Sequence, residues 1–198
     1  MTKVAIIGLG NPGAIYENTR HNMGFWLLDH FAEEKNLSFR FDRKFNAEVS
    51  KFTYLDNDII LIKPLSFMND SGKNLSTILR MAGFECSRKI LVHDELTLPL
   101  GSIKISPLGT GSGGHNGVRS VISALGNTVH RIRLGIGSKE TADQTLSNYV
   151  LSKFSKEDIS YLEKRLPYFL KAVHSSLVSG IDSAMNNFNK VKQPQIIQ

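Results

Sequence analysis

The stretch Val4-Ala5-Ile6-Ile7-Gly8-Leu9-Gly10-Asn11-Pro12-Gly13 limits the fold more than any other part of this 198-residue chain. Four apolar residues run straight into a glycine-rich turn, which reads as a buried strand delivering its loop to the rim of a sheet. Gly8, Gly10 and Gly13 also carry the spacing of a dinucleotide-binding turn. That chemistry needs a helix opening at the third glycine and an acid for the ribose about 20 residues further on. Residues 14–22 have no apolar stripe at helical spacing, and Glu33 and Glu34 fall inside a later helix. The loop is therefore read as a carrier of side chains, with a nucleotide-dependent oxidoreductase as the rival.

Hydrophobic periodicity orders the rest of the chain. Lys3–Leu9 reads as a strand and Gly24–Lys35 as a helix with Phe25, Leu28, Phe31 and Ala32 on one face. Residues 45–53 and 58–63 read as strands around an Asp56-Asn57-Asp58 turn, with Pro64 ending the second. Ser71 is placed to cap a helix that buries Leu75, Ile78, Leu79 and Ala82. Lys89–His93 and Ser102–Ser106 read as strands, the second followed by the glycine-rich loop Gly109–Gly114 and a helix from about Gly117. Arg131–Gly137 alternates, with Ile132, Leu134 and Ile136 on one face and Arg131 and Arg133 on the other. Ser155 and Asp158 form a capping box for a helical C-terminal region, broken at Pro167 and Gly180. Strands alternating with helices give an α/β class: a single three-layer αβα domain over residues 1–190, with a mixed, twisted central sheet and a helical C-terminus. Residues 191–198 carry no core pattern and read as a mobile tail.

Composition narrows the class. The net charge of +6 is spread along the chain, half of it on residues 151–198, which suits a nucleic-acid partner without requiring one. A single cysteine, Cys86, excludes an intrachain disulfide and fits a reducing compartment; it is read as inert. No signal-peptide pattern and no bilayer-length apolar run is present, which points to the cytoplasm and away from a membrane partner.

The polar residues that interrupt this pattern sit at element ends. Asn11 follows the first strand, His21-Asn22 precede a helix, Asn69 follows Pro64, Asp94 ends a strand, and His115-Asn116 separate the glycine-rich loop from its helix. Open α/β sheets bind ligands outside the carboxyl ends of their strands, so these segments form a candidate active site at one rim. A neutral His21 can take a proton from water, Asp94 can fix the other ring nitrogen, and asparagine amides can donate to a developing oxyanion. No His-Glu-x-x-His or Cys-x-x-Cys spacing marks a metal, and the glycine loop has neither a P-loop ending nor a nucleophile elbow. The expectation is a site without metal or cofactor.

Asn11-Pro12-Gly13, Thr19-Arg20-His21-Asn22, Phe67-Met68-Asn69-x-Ser71-Gly72, His93-Asp94-Glu95-Leu96 and Gly113-Gly114-His115-Asn116-Gly117 resemble, in order, the motif set of bacterial-type peptidyl-tRNA hydrolase. The resemblance implies a monomeric, metal-free esterase that cleaves the bond between a peptide and the terminal ribose of tRNA. It implies His21 as general base oriented by Asp94, and Asn11 at the peptide end, distinguishing blocked from free aminoacyl groups. Tyr16, Phe67, Met68, Asn69, His115 and Asn116 would line the site, and Arg133 would hold a tRNA phosphate. The family's lysine before the glycine-rich loop is replaced here by Pro107-Leu108, leaving Lys104, Lys164 or Arg165 as candidates for that second phosphate contact. A non-catalytic RNA-binding relative and a small-ester hydrolase remain as alternatives.

Overall fold

The computed structural model describes residues 2–85, 87–138 and 145–190. The readings of Cys86 and of the tail 191–198 lie outside the described residues. The elements run β1 (Thr2–Gly8), α1 (Met23–Glu34), β2 (Arg40–Asp42), β3 (Ala47–Tyr54), β4 (Asn57–Pro64), α2 (Leu75–Ala82) and β5 (Arg88–Glu95), then β6 (Ile103–Ser106), α3 (Asn116–Leu125), β7 (Val129–Gly135), α4 (Leu146–Leu151), α5 (Lys156–Val178) and α6 (Ile181–Phe188). One seven-stranded sheet has the order β2-β3-β4-β1-β5-β7-β6. Its centre, β4-β1-β5-β7, is parallel, and β2, β3 and β6 are antiparallel to their neighbours. The expected αβα layering follows from strand alternation. Val4, Ile6, Ile90, Val92, Ile132 and Leu134 pack toward α1 and α5, while Ala5, Ile7, Leu91 and Val129 pack toward α2 and α3. No described helix is long and apolar enough to cross a membrane.

Local expectations are corrected at three places. Pro167 does not break the C-terminal helix; it lies inside α5. A proline costs the bond from its missing N–H to the carbonyl four residues back. Glu163 and Pro167 are both exposed, so water can serve that carbonyl, while buried Leu162, Phe169, Ala172 and Val173 hold the helix to the core. Gly180 does divide the region, separating α5 from α6. Ser71 is not a cap: its hydroxyl donates to the Met68 carbonyl, closing a 3-10 turn, and α2 begins after Asn74. The β3–β4 turn is Leu55-Asp56, both at positive φ, one step before the turn read from Asp56-Asn57-Asp58. β2 and α4 are additional elements, beyond those expected from the sequence.

The first turn of α1 is set directly against the strand ends that carry the candidate site residues. It docks on the carboxyl ends of β1 and β5, with the Phe25 N–H donating to the Leu9 carbonyl at 3.1 Å and the Leu9 N–H to the Val92 carbonyl at 2.9 Å. Only glycine fits at position 24, where a Cβ would stand 2.3 Å from Leu9 N and 2.4 Å from Val92 O. Because these neighbours are backbone, no side-chain rearrangement relieves the clash. Gly24→Ala is expected to destabilise the protein by at least about 2 kcal/mol, in the range of overpacked cores, read from the midpoint of urea unfolding.

Candidate active site

The carboxyl ends of β1, β4 and β5 open on one side of the sheet, and the segments that follow them close a cavity of about 740 Å³. Asn11, Tyr16, His21, Phe67, Met68, Asn69, Asp94, His115 and Asn116 all line it. Every predicted site residue except Arg133 is therefore brought to one place.

Asn11 is held by two neighbours. Its backbone N–H donates to Asn22 Oδ1 at 2.8 Å, and Asn22 Nδ2 returns a bond to the Asn11 carbonyl at 2.9 Å. Its side-chain Oδ1 accepts the Met68 N–H at 2.8 Å. With the oxygen engaged, the amide NH2 is the end of Asn11 left to act in the cavity, as a donor.

Asp94 is the centre of charge. It is almost fully buried, and both carboxylate oxygens lie 3.0 Å from His21 Nδ1, while Oδ1 is 2.9 Å from His115 Nε2. Burial alone would raise its pKa, but the adjacent His115 and His21 outweigh burial and hold it well below the usual carboxylate range. An ionised carboxylate only accepts, so both imidazoles present N–H to it. At His115 the tautomer is fixed a second time: Nδ1 accepts the Val118 N–H at the start of α3, which leaves the proton on Nε2. At His21 the proton on Nδ1 leaves Nε2 as the basic nitrogen.

His21, Asp94 and His115 also offer ligand atoms within 4.8 Å of one another, close enough to invite a cation. The donor set does not fit one. To ligate through Nε2, His115 would have to move its proton to Nδ1, where it would meet the Val118 N–H head-on. The arrangement is a hydrogen-bonded triad.

Several residues lacked a usable sequence signal. Asn22 belongs to one of the five motifs, yet its role in clamping Asn11 depends on a turn that brings the two together. Leu146, Val150 and Leu151 of α4 form one wall of the cavity, which also holds Tyr16 and Phe67, whose rings meet edge to face at 6.2 Å. The i, i+4 spacing of Leu146 and Val150 behind the cap Thr145 was the available clue. Arg20 pins this wall to the His21 segment: its guanidinium lies between the Tyr149 and Phe154 rings, pairs with Asp158 at 3.1 Å and donates to the Lys153 carbonyl.

Arg133 lies outside the cavity, on the α2/α3 side of the sheet, paired with Glu95. Arg131, on the same strand face, is buried. Lys104 is exposed and directly across the β6–β7 ladder from Arg133. Arg165 is committed elsewhere, donating to the Gly101 carbonyl and stacking on Tyr168.

Comparison with known proteins places this geometry in a family. The family model for peptidyl-tRNA hydrolase matches residues 5–195. The chain is 42% identical over 182 residues to the peptidyl-tRNA hydrolase of Dichelobacter nodosus, covering 91% of this chain and 95% of that protein. It is 40% identical over 181 residues to that of Neisseria meningitidis, covering 90% and 93%. Among solved structures, the crystal structure of peptidyl-tRNA hydrolase from Acinetobacter baumannii superposes with a TM-score of 0.85 at 31% identity, covering 94% of each chain.

His93 gives this site a signature in acid. Adjacent to Asp94 on β5 and pointing the other way, it is fully buried, stacks edge-on against His115 and donates from Nδ1 to the Asp94 carbonyl. Burial, reinforced by His115, lowers its pKa to about 3. The unfolded chain would therefore protonate first, near pH 6.5, so stability is complete above that value and is lost as pH falls toward 3. His130 is shifted in the same direction by burial. Urea unfolding at pH 7.5, 6.0 and 5.0 should show a declining midpoint. In His93→Gln the slope should fall by about one proton, and an unchanged slope would exclude His93 as its source.

Proposed function

The chain belongs to the peptidyl-tRNA hydrolase family, and from that membership we propose that it hydrolyses the ester between a peptide, or an N-blocked amino acid, and the terminal ribose of tRNA. The observation that carries the mechanistic reading is the pairing of His21 with a buried, ionised Asp94 on the wall of the cavity. His21 Nε2 takes a proton from a water as that water attacks the ester carbonyl. The imidazolium so formed is stabilised by Asp94, which keeps Nδ1–H aligned throughout. The Asn11 NH2 donates to the carbonyl oxygen as charge develops there, a contribution of about 3 kcal/mol for such a donor. The proton then passes from His21 to the ribose oxygen as it leaves, restoring the base.

The walls suit the two halves of such a substrate. Tyr16, Phe67, Leu96, Leu146 and Val150 offer an apolar surface for peptide side chains, and Asn69 and Asn116 offer amides to the acyl and ribose end. Arg133 is the phosphate contact, with Lys104 beside it in place of the family's missing lysine. The reaction needs no cofactor or metal, because the base and the oxyanion donor are both side chains. A monomer acting in the cytoplasm is the simplest form of the proposal.

Incubation with N-blocked aminoacyl-tRNA, in the presence of a chelator, should release free tRNA, whereas unblocked aminoacyl-tRNA should be a poor substrate. His21→Ala should remove cleavage while tRNA still binds; near-normal turnover would refute its role as base. Asp94→Asn should lower kcat by about 10³–10⁴, as expected when the orienting carboxylate of a catalytic histidine is lost. Asn22→Ala frees Asn11 to turn and should lower kcat/KM by about 10–100-fold, a loss of about 1.4–2.8 kcal/mol, without matching loss of tRNA binding.

A further inference from the structure

We propose that Glu95 is a positioning and specificity residue for RNA: its carboxylate occupies the Arg133 fork in the free enzyme and competes there with a substrate or product phosphate. The inference rests on the reading of Arg133 as a phosphate contact. Arg133 Nε and Nη2 both donate to Glu95 Oε2, at 2.8 and 2.7 Å, a side-on pairing of the kind a phosphate oxygen accepts. Among the described residues the third nitrogen, Nη1, reaches only Ser106 Oγ, at 3.4 Å.

Glu95 is not a loose surface acid that happens to lie near an arginine. Its second oxygen accepts both the backbone N–H and the hydroxyl of Thr97, at 3.0 and 2.8 Å. Burial raises the pKa of its carboxyl, but the Thr97 bonds and then Arg133 prevail and keep it below the ordinary range. It thus stays charged and aimed. Two more cations share this face: Arg131, buried two residues before Arg133 with its Nε unpartnered among the described residues, and exposed Lys104. A built-in anion lowers the pull of this group on any passing polyanion, so that binding depends on a phosphate delivered with correct geometry. It also provides a partner that can reclaim Arg133 when free tRNA departs. Glu95 and Thr97 line the cavity, so the exchange reaches the rim where the acyl end sits.

Binding of deacylated tRNA to the full chain, by fluorescence or calorimetry across a salt series, tests this. Glu95→Gln keeps the shape of the side chain and removes its charge. It should tighten binding about three- to tenfold at low salt, whereas a merely structural role would weaken binding or leave it unchanged. Arg133→Gln should weaken binding and reduce the salt slope, and the double variant should bind like Arg133→Gln alone. Weaker or unchanged binding in Glu95→Gln, with Arg133→Gln still impaired, overturns the competition while leaving Arg133 as a phosphate contact. Full tRNA affinity in Arg133→Gln overturns both. In the unaltered protein, the Arg133 Nε–H resonance should shift when an acceptor-stem hairpin RNA is added. No shift at saturation would overturn the exchange even if the variants failed to fold.

Discussion

A single buried carboxylate, Asp94, organises the site. A charge taken out of water is tolerated only when its oxygens are fully bonded, and here the donors come from two directions. His21 arrives from the segment that opens α1, and His115 from the cap of α3. These two histidines lie 94 residues apart in the chain (115 − 21) and come from helices on opposite faces of the sheet, and the end of β5 is where both can reach. Removal of either imidazole leaves an under-satisfied anion, so the geometry of the candidate site and local stability depend on the same contacts.

Around that charge the geometry is enforced largely by backbone. Gly24 lets α1 rest directly on Leu9 and Val92, and Gly72 meets α3 at Ser120 in the same way. The first contact brings the start of α1 close to the ends of β1 and β5, and the second brings the turn before α2 onto α3, at separations that side chains larger than hydrogen would prevent. Asn22 then clamps Asn11, and the Met68 N–H settles which end of the Asn11 amide is available. An asparagine at a glycine-proline turn is ordinary in itself. Its chemical meaning here comes from having its oxygen occupied.

The layering and most of the candidate site were legible in the sequence because they follow from local regularities. Apolar alternation marks buried strands, and polar residues just after strands mark the rim of an α/β sheet. What escaped was of other kinds. β2 is only Arg40–Asp42, too short to show a period, and α4 turns part of its apolar face to a cavity rather than to the core. Pro167 misled because a proline costs a helix little when the carbonyl it strands faces water. Arg131 and Arg133 share a strand face, but pattern alone could not tell that one is buried and the other paired. The pairing depends on Glu95, which approaches from the neighbouring strand.

Strand alternation also gives β5 two chemical faces in consecutive residues. Asp94 points to the α1 side and meets His21; Glu95 points to the α2/α3 side and meets Arg133. The same peptide link therefore joins the carboxylate paired with His21 to the carboxylate that occupies the Arg133 fork. A shift of β5 large enough to release one would disturb the other, since parallel pairing with both β1 and β7 leaves the strand no freedom to slide. The exchange proposed at Arg133 would then need side-chain rotation alone. On that proposal the His21–Asp94 pair would stay in place while the Glu95–Arg133 pair beside it opened and closed.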